Sequence, residues 1–313
     1  MTTDASDRTL LTSLTLARGS LDRATHLRTD AAGWEAVQSD PTAQVIVLHG
    51  HRAPVSGEEP RLVRMRLSGV TWPHTLVLLA QDADGPVLAA LTDPSIDLTQ
   101  MPAERWGDLR ELGALLDDDD AGLLTTAVAL AQWHRTHAHC PTCGQLTTVT
   151  GAGWTTTCPE HGEQHPRTDP AVIVLVHDGA GRALLGRRDE WTSGWFSTLA
   201  GFVEAGESAE HAVGREVAEE ANVHLDPTSL IYLGSQPWPF PRSLMLGYHA
   251  LATNPADAKA DGVEISEVRW FTRAELAEEC AAGSVRIPPR VSVARRLIER
   301  WYGGELPGEW SRP

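Results

Sequence analysis

Gly201-Phe202-Val203-Glu204-Ala205-Gly206-Glu207, seven further residues, then Arg215-Glu216-Val217-Ala218-Glu219-Glu220-Ala221-Asn222-Val223 is the stretch on which the reading of this chain turns. Its second half has the spacing of a helix on which Glu216, Glu219 and Glu220 fall at i, i+3 and i+4 and project from one face. Carboxylates so placed repel one another. A divalent cation offsets them, and an all-oxygen ligand set selects a hard ion such as Mg²⁺ or Mn²⁺. A run of glutamates is more often a solvated helix face. Here an apolar strand at Trp195 to Ala200 and a glycine-bearing loop lead into the helix, a strand-loop-helix context that a solvated face does not need. Asn222 follows the helix end, where φ > 0 is usual and Asn is the next-best residue after Gly. Glu207 and Arg215 are expected to brace the loop against the helix as a salt bridge rather than to touch substrate.

Outward from this stretch, Asp169 onward reads as an apolar strand, Ala171 to Val176, a turn at Asp178-Gly179, and a second strand, Arg182 to Arg188. Further strands are expected near Leu230 to Gln236, Leu244 to Ala252 and Val268 to Phe271, and a last helix from about Val291 to Trp301. Strands interleaved with helices imply an α/β/α sandwich around a mixed sheet. On the N-terminal side, Cys140-Pro-Thr-Cys143-Gly144 and Cys158-Pro-Glu-His161-Gly162 form two short knuckles. Their spacing fits a closed tetrahedral zinc site of Cys140, Cys143, Cys158 and His161, with His139 or His165 as competitors for the fourth place. Four such ligands leave no position open for water, so the zinc is structural. The remaining cysteine, Cys280, lies in a helical stretch and reads as a core residue. Before the ribbon, Asp117 to Asp120 caps a helix running to His134. Still earlier, β-like runs at Gln44 to His49, Leu62 to Leu67, Leu76 to Leu79 and Val87 to Leu91 make a small α+β domain with no catalytic constellation. Three domains follow: 1–120, a linking helix and ribbon over 121–167, and a catalytic domain over 168–313.

At 313 residues with 42% hydrophobic composition the chain can bury a core in each of about two domains. The opening Met-Thr-Thr-Asp-Ala-Ser-Asp has neither the basic start nor the apolar centre of a leader, and no apolar run approaches the roughly 20 residues of a membrane span. A cytoplasmic protein without membrane contact is the expectation. Its 42 acidic and 26 basic residues give a net charge of -16, against broad binding to a polyphosphate backbone.

The stretch quoted first resembles the signature of the Nudix hydrolases, Gly-x5-Glu-x7-Arg-Glu-U-x-Glu-Glu-x-Gly-U with U aliphatic, and departs from it only in Asn222 for Gly. Thirteen residues beyond Asn222, Ser235-Gln236-Pro237-Trp238-Pro239-Phe240-Pro241-Arg242-Ser243 is similar to the proline array of the NADH pyrophosphatase branch of that family. As bare sequence it is a proline-stiffened segment with aromatics fit for a core or a pocket wall. The resemblance, carried also by Trp106 to Arg110, the ribbon, His165 to Pro170 and Val293 to Ile298, implies a Nudix sandwich preceded by a zinc ribbon. It also implies metal-dependent cleavage of NAD(H) to nicotinamide mononucleotide and AMP, with removal of NAD caps from RNA as a second use, in a homodimer. By the same comparison Ile173, Ser243, Met245 and Ala294 line the adenine side, with Gln236 and Trp238 of the array at the substrate. Phe202 stacks on nicotinamide, and Glu264 joins Glu216, Glu219 and Glu220 at the metals. His165 stands where relatives carry Tyr or Phe against adenine, a ring of smaller area. Glu220 is the first choice for an indispensable ligand, and Glu264 or Glu219 for general base. Two other readings compete: Nudix chemistry on another nucleoside diphosphate derivative such as ADP-ribose, and a zinc-ribbon binding module with vestigial hydrolase residues. The proline array opposes the first, and the intact glutamates and acidic balance oppose the second.

Overall fold

The computed structural model describes residues 9–12, 14–99, 101 and 103–310; the opening Met-Thr-Thr-Asp-Ala-Ser-Asp lies outside them. The chain divides into two compact units that interleave along the sequence: residues 1–15, 169–238 and 243–313 in one, 16–168 and 239–242 in the other. Among the described residues no helix is long and apolar enough to cross a membrane.

The unit built mainly from the first half begins with helices α1 (Thr25–Arg28) and α2 (Ala31–Ser39), the second capped by Asp30, which accepts from the N–H groups of Ala32 and Gly33. Its sheet comprises β1 (Gln44–His49), β2 (Arg52–Ser56), β3 (Arg61–Leu62), β4 (Arg64–Arg66), β5 (Thr75–Asp82), β6 (Gly85–Thr92) and β7 (Arg105–Asp108), in the order β3-β2-β1-β6-β5, with β4 also on β1 and β7 on β2. β1 and β6 run parallel and the other pairs antiparallel. β2 and β7 carry too few apolar residues to announce themselves; pairing with each other makes them strands. A short helix α3 (Leu109–Leu112) leads to α4 (Asp118–Thr136), which packs on β1, β5 and β6. The acidic run at its start divides its labour. Asp117 is the N-cap and accepts from the Asp120 N–H, whereas the buried Asp120 carboxylate turns away to the Leu62 N–H and the Arg64 guanidinium, both at 2.9 Å. The ribbon then forms an antiparallel sheet of β8 (Thr148–Thr150), β9 (Thr155–Cys158) and β10 (Gly162–Gln164).

The other unit contains β11 (Asp169–His177), β12 (Arg182–Arg187), β13 (Leu199–Phe202), α5 (Ala209–Ala221), β14 (Ile231–Trp238), β15 (Ser243–Leu251), β16 (Glu267–Thr272), α6 (Arg273–Ala282) and α7 (Val293–Tyr302). The sheet order is β14-β15-β11-β12-β16, with β13 also on β11; β11 and β15 are parallel over their whole length and the other pairs antiparallel. Side chains alternate across a strand, and β11 shows what this achieves. Val172, Val174 and Val176 join Ala212, Val213 and Val217 of α5 in one core. Ile173 and Leu175 join Leu276 and Cys280 of α6 and Val293, Ala294, Leu297 and Ile298 of α7 in another. A helix layer on each face of a mixed sheet is the α/β/α sandwich expected. The strand expected at Trp195 to Ala200 begins instead at Leu199: the preceding residues are held by single bridges, Ser197 to Gly186 and Trp195 to Arg286, rather than by a continuous ladder. Leu11 and Leu14 belong here too, since the Leu11 N–H donates to the Leu233 carbonyl at 2.8 Å and Leu14 is buried in the core beneath α7.

Candidate metal and substrate site

Helix α5 is set by its two ends. Ser208 caps the N-terminus by accepting from the His211 N–H at 3.2 Å, and Asn222 closes the C-terminus in the left-handed region at φ 53°. Asn222 also donates its amide to the Asp257 carbonyl at 3.0 Å, which a glycine could not do. Arg215 is a hub: it donates to Glu207 at 2.9 Å, to the Phe202 carbonyl at 2.9 Å, to Glu216 at 2.8 Å and to Glu219 at 3.1 Å. Glu207 in turn accepts from the Glu204 N–H at 3.1 Å. The Arg215 bonds, then that N–H, hold the Glu207 carboxyl down at about 2.

Glu216 lies directly over Gly201 of β13: a Cβ at that position would come within 1.9 Å of its carboxyl carbon. The glycine is therefore a steric requirement of the carboxylate opposite, and φ is not at issue. Glu220 is buried, 4% exposed, and accepts from the Ala200 N–H at 3.3 Å. Burial, and after it the Glu216 charge, push the Glu220 carboxyl up to about 8. Burial also raises Glu216, against the pull of Arg215. Glu264 arrives from a loop whose turn is tied by Asp261, which accepts from the N–H groups of Glu264 and Ile265 at 3.0 and 2.8 Å. Its carboxylate is exposed and stands 3.3 Å from Arg188.

These oxygen donors fit a hard divalent cation: two buried or half-buried carboxylates are held above their ordinary range by burial and by neighbouring carboxylates, which is the condition that bound positive charge relieves. Among the described residues, one set of groups has its ligand atoms all within 4.8 Å of one another, and it is Cys140, Cys143, Cys158 and His161. The glutamates do not draw together to that separation. In the ribbon, the Cys143 and Cys158 sulfurs are 3.6 Å apart and His161 Nδ1 is 3.8 Å from the Cys158 sulfur. Gly144 and Gly162 take φ of 75° and 73° at the knuckles. Burial works against ionisation of Cys140, but the N–H groups of Cys143 and Thr142 outweigh it and hold the thiol at about 6. His139 is exposed and bridges to Leu146, and His165 is exposed with Glu163 3.8 Å away, so neither belongs to the set.

Of the residues assigned to substrate, Phe202 at the end of β13 is 57% exposed. Ile173, Met245 and Ala294 meet in the core on the α7 face. Gln236 pairs with Met245 across β14 and β15, is fully buried, and donates to the Val291 carbonyl at 3.0 Å. Trp238 pairs with Ser243 across the same two strands; between them Phe240 lies under the Arg110 guanidinium at 3.9 Å. Sequence reasoning passed over Arg188 and Asp261. Arg188 meets Glu264 across 76 positions, a separation that carries no local signal.

Residues 167–291 match the NUDIX domain family and residues 42–133 match the NADH pyrophosphatase-like rudimentary NUDIX domain. The chain is 40% identical over 311 residues to the "NAD-capped RNA hydrolase NudC" of Mycobacterium tuberculosis (strain ATCC 25618 / H37Rv), covering 93% of this chain and 95% of the relative. It is 37% identical over 199 residues to the Homo sapiens "NAD-capped RNA hydrolase NUDT12", covering 59% of this chain and 42% of that one. Among solved structures, a NUDIX hydrolase from Nitrosomonas europaea aligns with a TM-score of 0.40 at 20% identity, over 54% of this chain and 95% of its own.

Proposed function

The chain belongs to the Nudix hydrolases, in the branch that carries an NADH pyrophosphatase-like rudimentary Nudix domain, and on that footing we propose that it hydrolyses the pyrophosphate of NAD(H). The products are nicotinamide mononucleotide, or its reduced form, and AMP; the 5′-NAD cap of RNA is a second substrate with the same linkage. The observation that carries this reading is the carboxylate cluster of Glu216 and Glu220 on α5 with Glu264 from the Asp261 turn, in a chain 40% identical to a hydrolase of NAD-capped RNA.

Water attacks one phosphorus and the bond from that phosphorus to the bridging oxygen breaks. Mg²⁺ or Mn²⁺ bound at the glutamates supplies charge neutralisation on the phosphate oxygens and a more acidic water. Glu216, Glu219, Glu220 and Glu264 are the residues proposed to hold the ions. Glu220 is the indispensable one because it is buried and, among the described residues, has only one weak hydrogen bond, from the Ala200 N–H, to support its charge. Glu264 or Glu219, both solvent-facing, is the candidate to accept the proton of the attacking water. Arg215 keeps Glu216 and the Glu207 loop in place and has no donor directed at substrate beyond that work. Phe202 offers an exposed ring for nicotinamide. Ile173, Met245 and Ala294 give the adenine side its apolar wall, with Ser243 and Trp238 as its further contacts, and the family resemblance alone adds His165. Gln236, buried against Val291, holds β14 to the segment entering α7. The ribbon set Cys140, Cys143, Cys158 and His161 holds a structural Zn²⁺. A cytoplasmic homodimer completes the reading, on the family resemblance alone.

Chromatography of products after parallel incubation with NADH, NAD⁺, ADP-ribose and NAD-capped RNA, each with Mg²⁺ and with Mn²⁺, tests it. The expected outcome is AMP with the mononucleotide. Preferential turnover of ADP-ribose would move the substrate to another nucleoside diphosphate derivative, and no turnover of any of the four would leave a binding module.

A further inference from the structure

Two arginines, Arg215 and Arg188, meet the carboxylate cluster, and they and the neighbouring Arg187 differ in how they are held. Arg215 is committed to Glu207, Glu216, Glu219 and the Phe202 carbonyl. Arg187 donates to the Trp191 carbonyl at 3.2 Å and stands 3.8 Å from Glu267. Arg188, the residue after β12, makes one side-chain bond among the described residues, to Glu264 at 3.3 Å, with 38% and 62% of the two side chains exposed. An exposed pair of that length adds little to stability and exchanges readily. A weakly held guanidinium therefore stands among acids proposed to bind metal, beside the place where a pyrophosphate has to lie.

We propose that Arg188 is a further substrate-contacting residue: it covers the Glu264 carboxylate in the metal-free enzyme and passes its guanidinium to a pyrophosphate oxygen of the dinucleotide when Glu264 is taken up by a divalent cation. The exchange conserves charge pairing. Each anion keeps a cationic partner before and after, and a planar fork with two donors suits a phosphate better than a point charge does. Two effects follow, and they have opposite signs. With no substrate present, a fixed positive charge beside the carboxylates opposes metal binding; with substrate present, the same charge favours it.

The inference rests on the proposed pyrophosphatase reading, so one arm of its test needs no turnover. Mn²⁺ affinity is measured by electron paramagnetic resonance on substrate-free protein, as parent, Arg188→Gln and Arg188→Lys, with melting temperature as a check on folding. Arg188→Gln is expected to bind Mn²⁺ about threefold to tenfold more tightly, and Arg188→Lys to match the parent. Steady-state kinetics with NADH then give a KM raised at least about tenfold in Arg188→Gln and partly restored in Arg188→Lys. Unchanged or weaker Mn²⁺ binding by Arg188→Gln overturns the proposal, as does a KM within about twofold of the parent. If Arg188→Gln does not fold, Arg188→Lys decides: parental Mn²⁺ affinity with a raised KM supports the contact, and a parental KM removes it. A parent that leaves NADH intact while Arg188→Gln binds Mn²⁺ more tightly would sink the substrate and keep the counter-charge.

Discussion

A buried carboxyl beside a second one can be neutral or metal-bound at little cost, and ionised and bare only at a large one. Glu220, titrating at about 8 in the metal-free fold, is in that position. Its folded value lies above its unfolded one of 4.5, so the stability tied to its proton is fully present below about 4.5 and is lost as the pH rises through about 8. Metal-free parent should therefore lose melting temperature between pH 5 and 9 relative to Glu220→Gln, and the difference should close when Mg²⁺ is added. Differential scanning fluorimetry in paired buffers checks this; equal pH profiles for the two proteins would show that Glu220 is not the buried acid. The same variant should lose at least about 100-fold in kcat, since it keeps the shape and removes the charge that holds the ion. His165 makes a second test. Its ring is exposed and outside the cysteine set, so His165→Tyr should leave zinc content unchanged. It should lower the KM for NADH a few-fold, as a larger ring adds about 0.5 to 1.5 kcal/mol of stacking. Lost zinc in that variant would put His165 back among the ligands.

Among the elements, helix α5 shows a departure from a family pattern that does something of its own. Asn222 meets the left-handed cap requirement and in addition ties the 254–257 turn through Asp257, on the way to Glu264. Asn222→Gly should keep the helix end yet cost about 0.5 to 1.5 kcal/mol of stability by urea denaturation, the worth of one hydrogen bond; a variant as stable as the parent would show the bond to be idle. For the ribbon, elemental analysis after mild chelation should return one zinc per chain, and His161→Ala should reduce it, since the three remaining cysteines make an incomplete tetrahedron. The long helices and central strands were legible from their apolar periods, and α5 from its glutamate spacing: α4, α5, α7, β11 and β15 all stand close to where the residues placed them. β2 and β7 were not, because their strand character comes from pairing with partners distant in sequence. Asp120 was read with its neighbours as part of a cap, and its bond to Arg64 appears only once β4 is folded beside it.

At the scale of the whole molecule, motif and spacing were enough for the Nudix fold and for the helix that carries the glutamates, and residues 42–133 gave no hint that they match a rudimentary form of the same domain family. That segment carries none of the carboxylate spacing that makes α5 readable. Nor did composition show that the chain begins in one unit, builds the other, and then returns. Leu14 is 4% exposed in the core beneath α7, and its neighbour Leu11 extends the β14 backbone by one hydrogen bond. Removing that side chain by Leu14→Ala should cost about 2 to 5 kcal/mol, measured as a shift in the chemical denaturation midpoint; a shift below about 1 kcal/mol would mean the segment is dispensable. A gene cut at the apparent domain junction would accordingly yield an orphan. The piece encoding residues 169–313 lacks a staple that translation supplies earlier, so that piece complemented in trans by a peptide spanning residues 9–15, or a circular permutant that carries this peptide after residue 313, is expected to be more stable to heat than the piece without it.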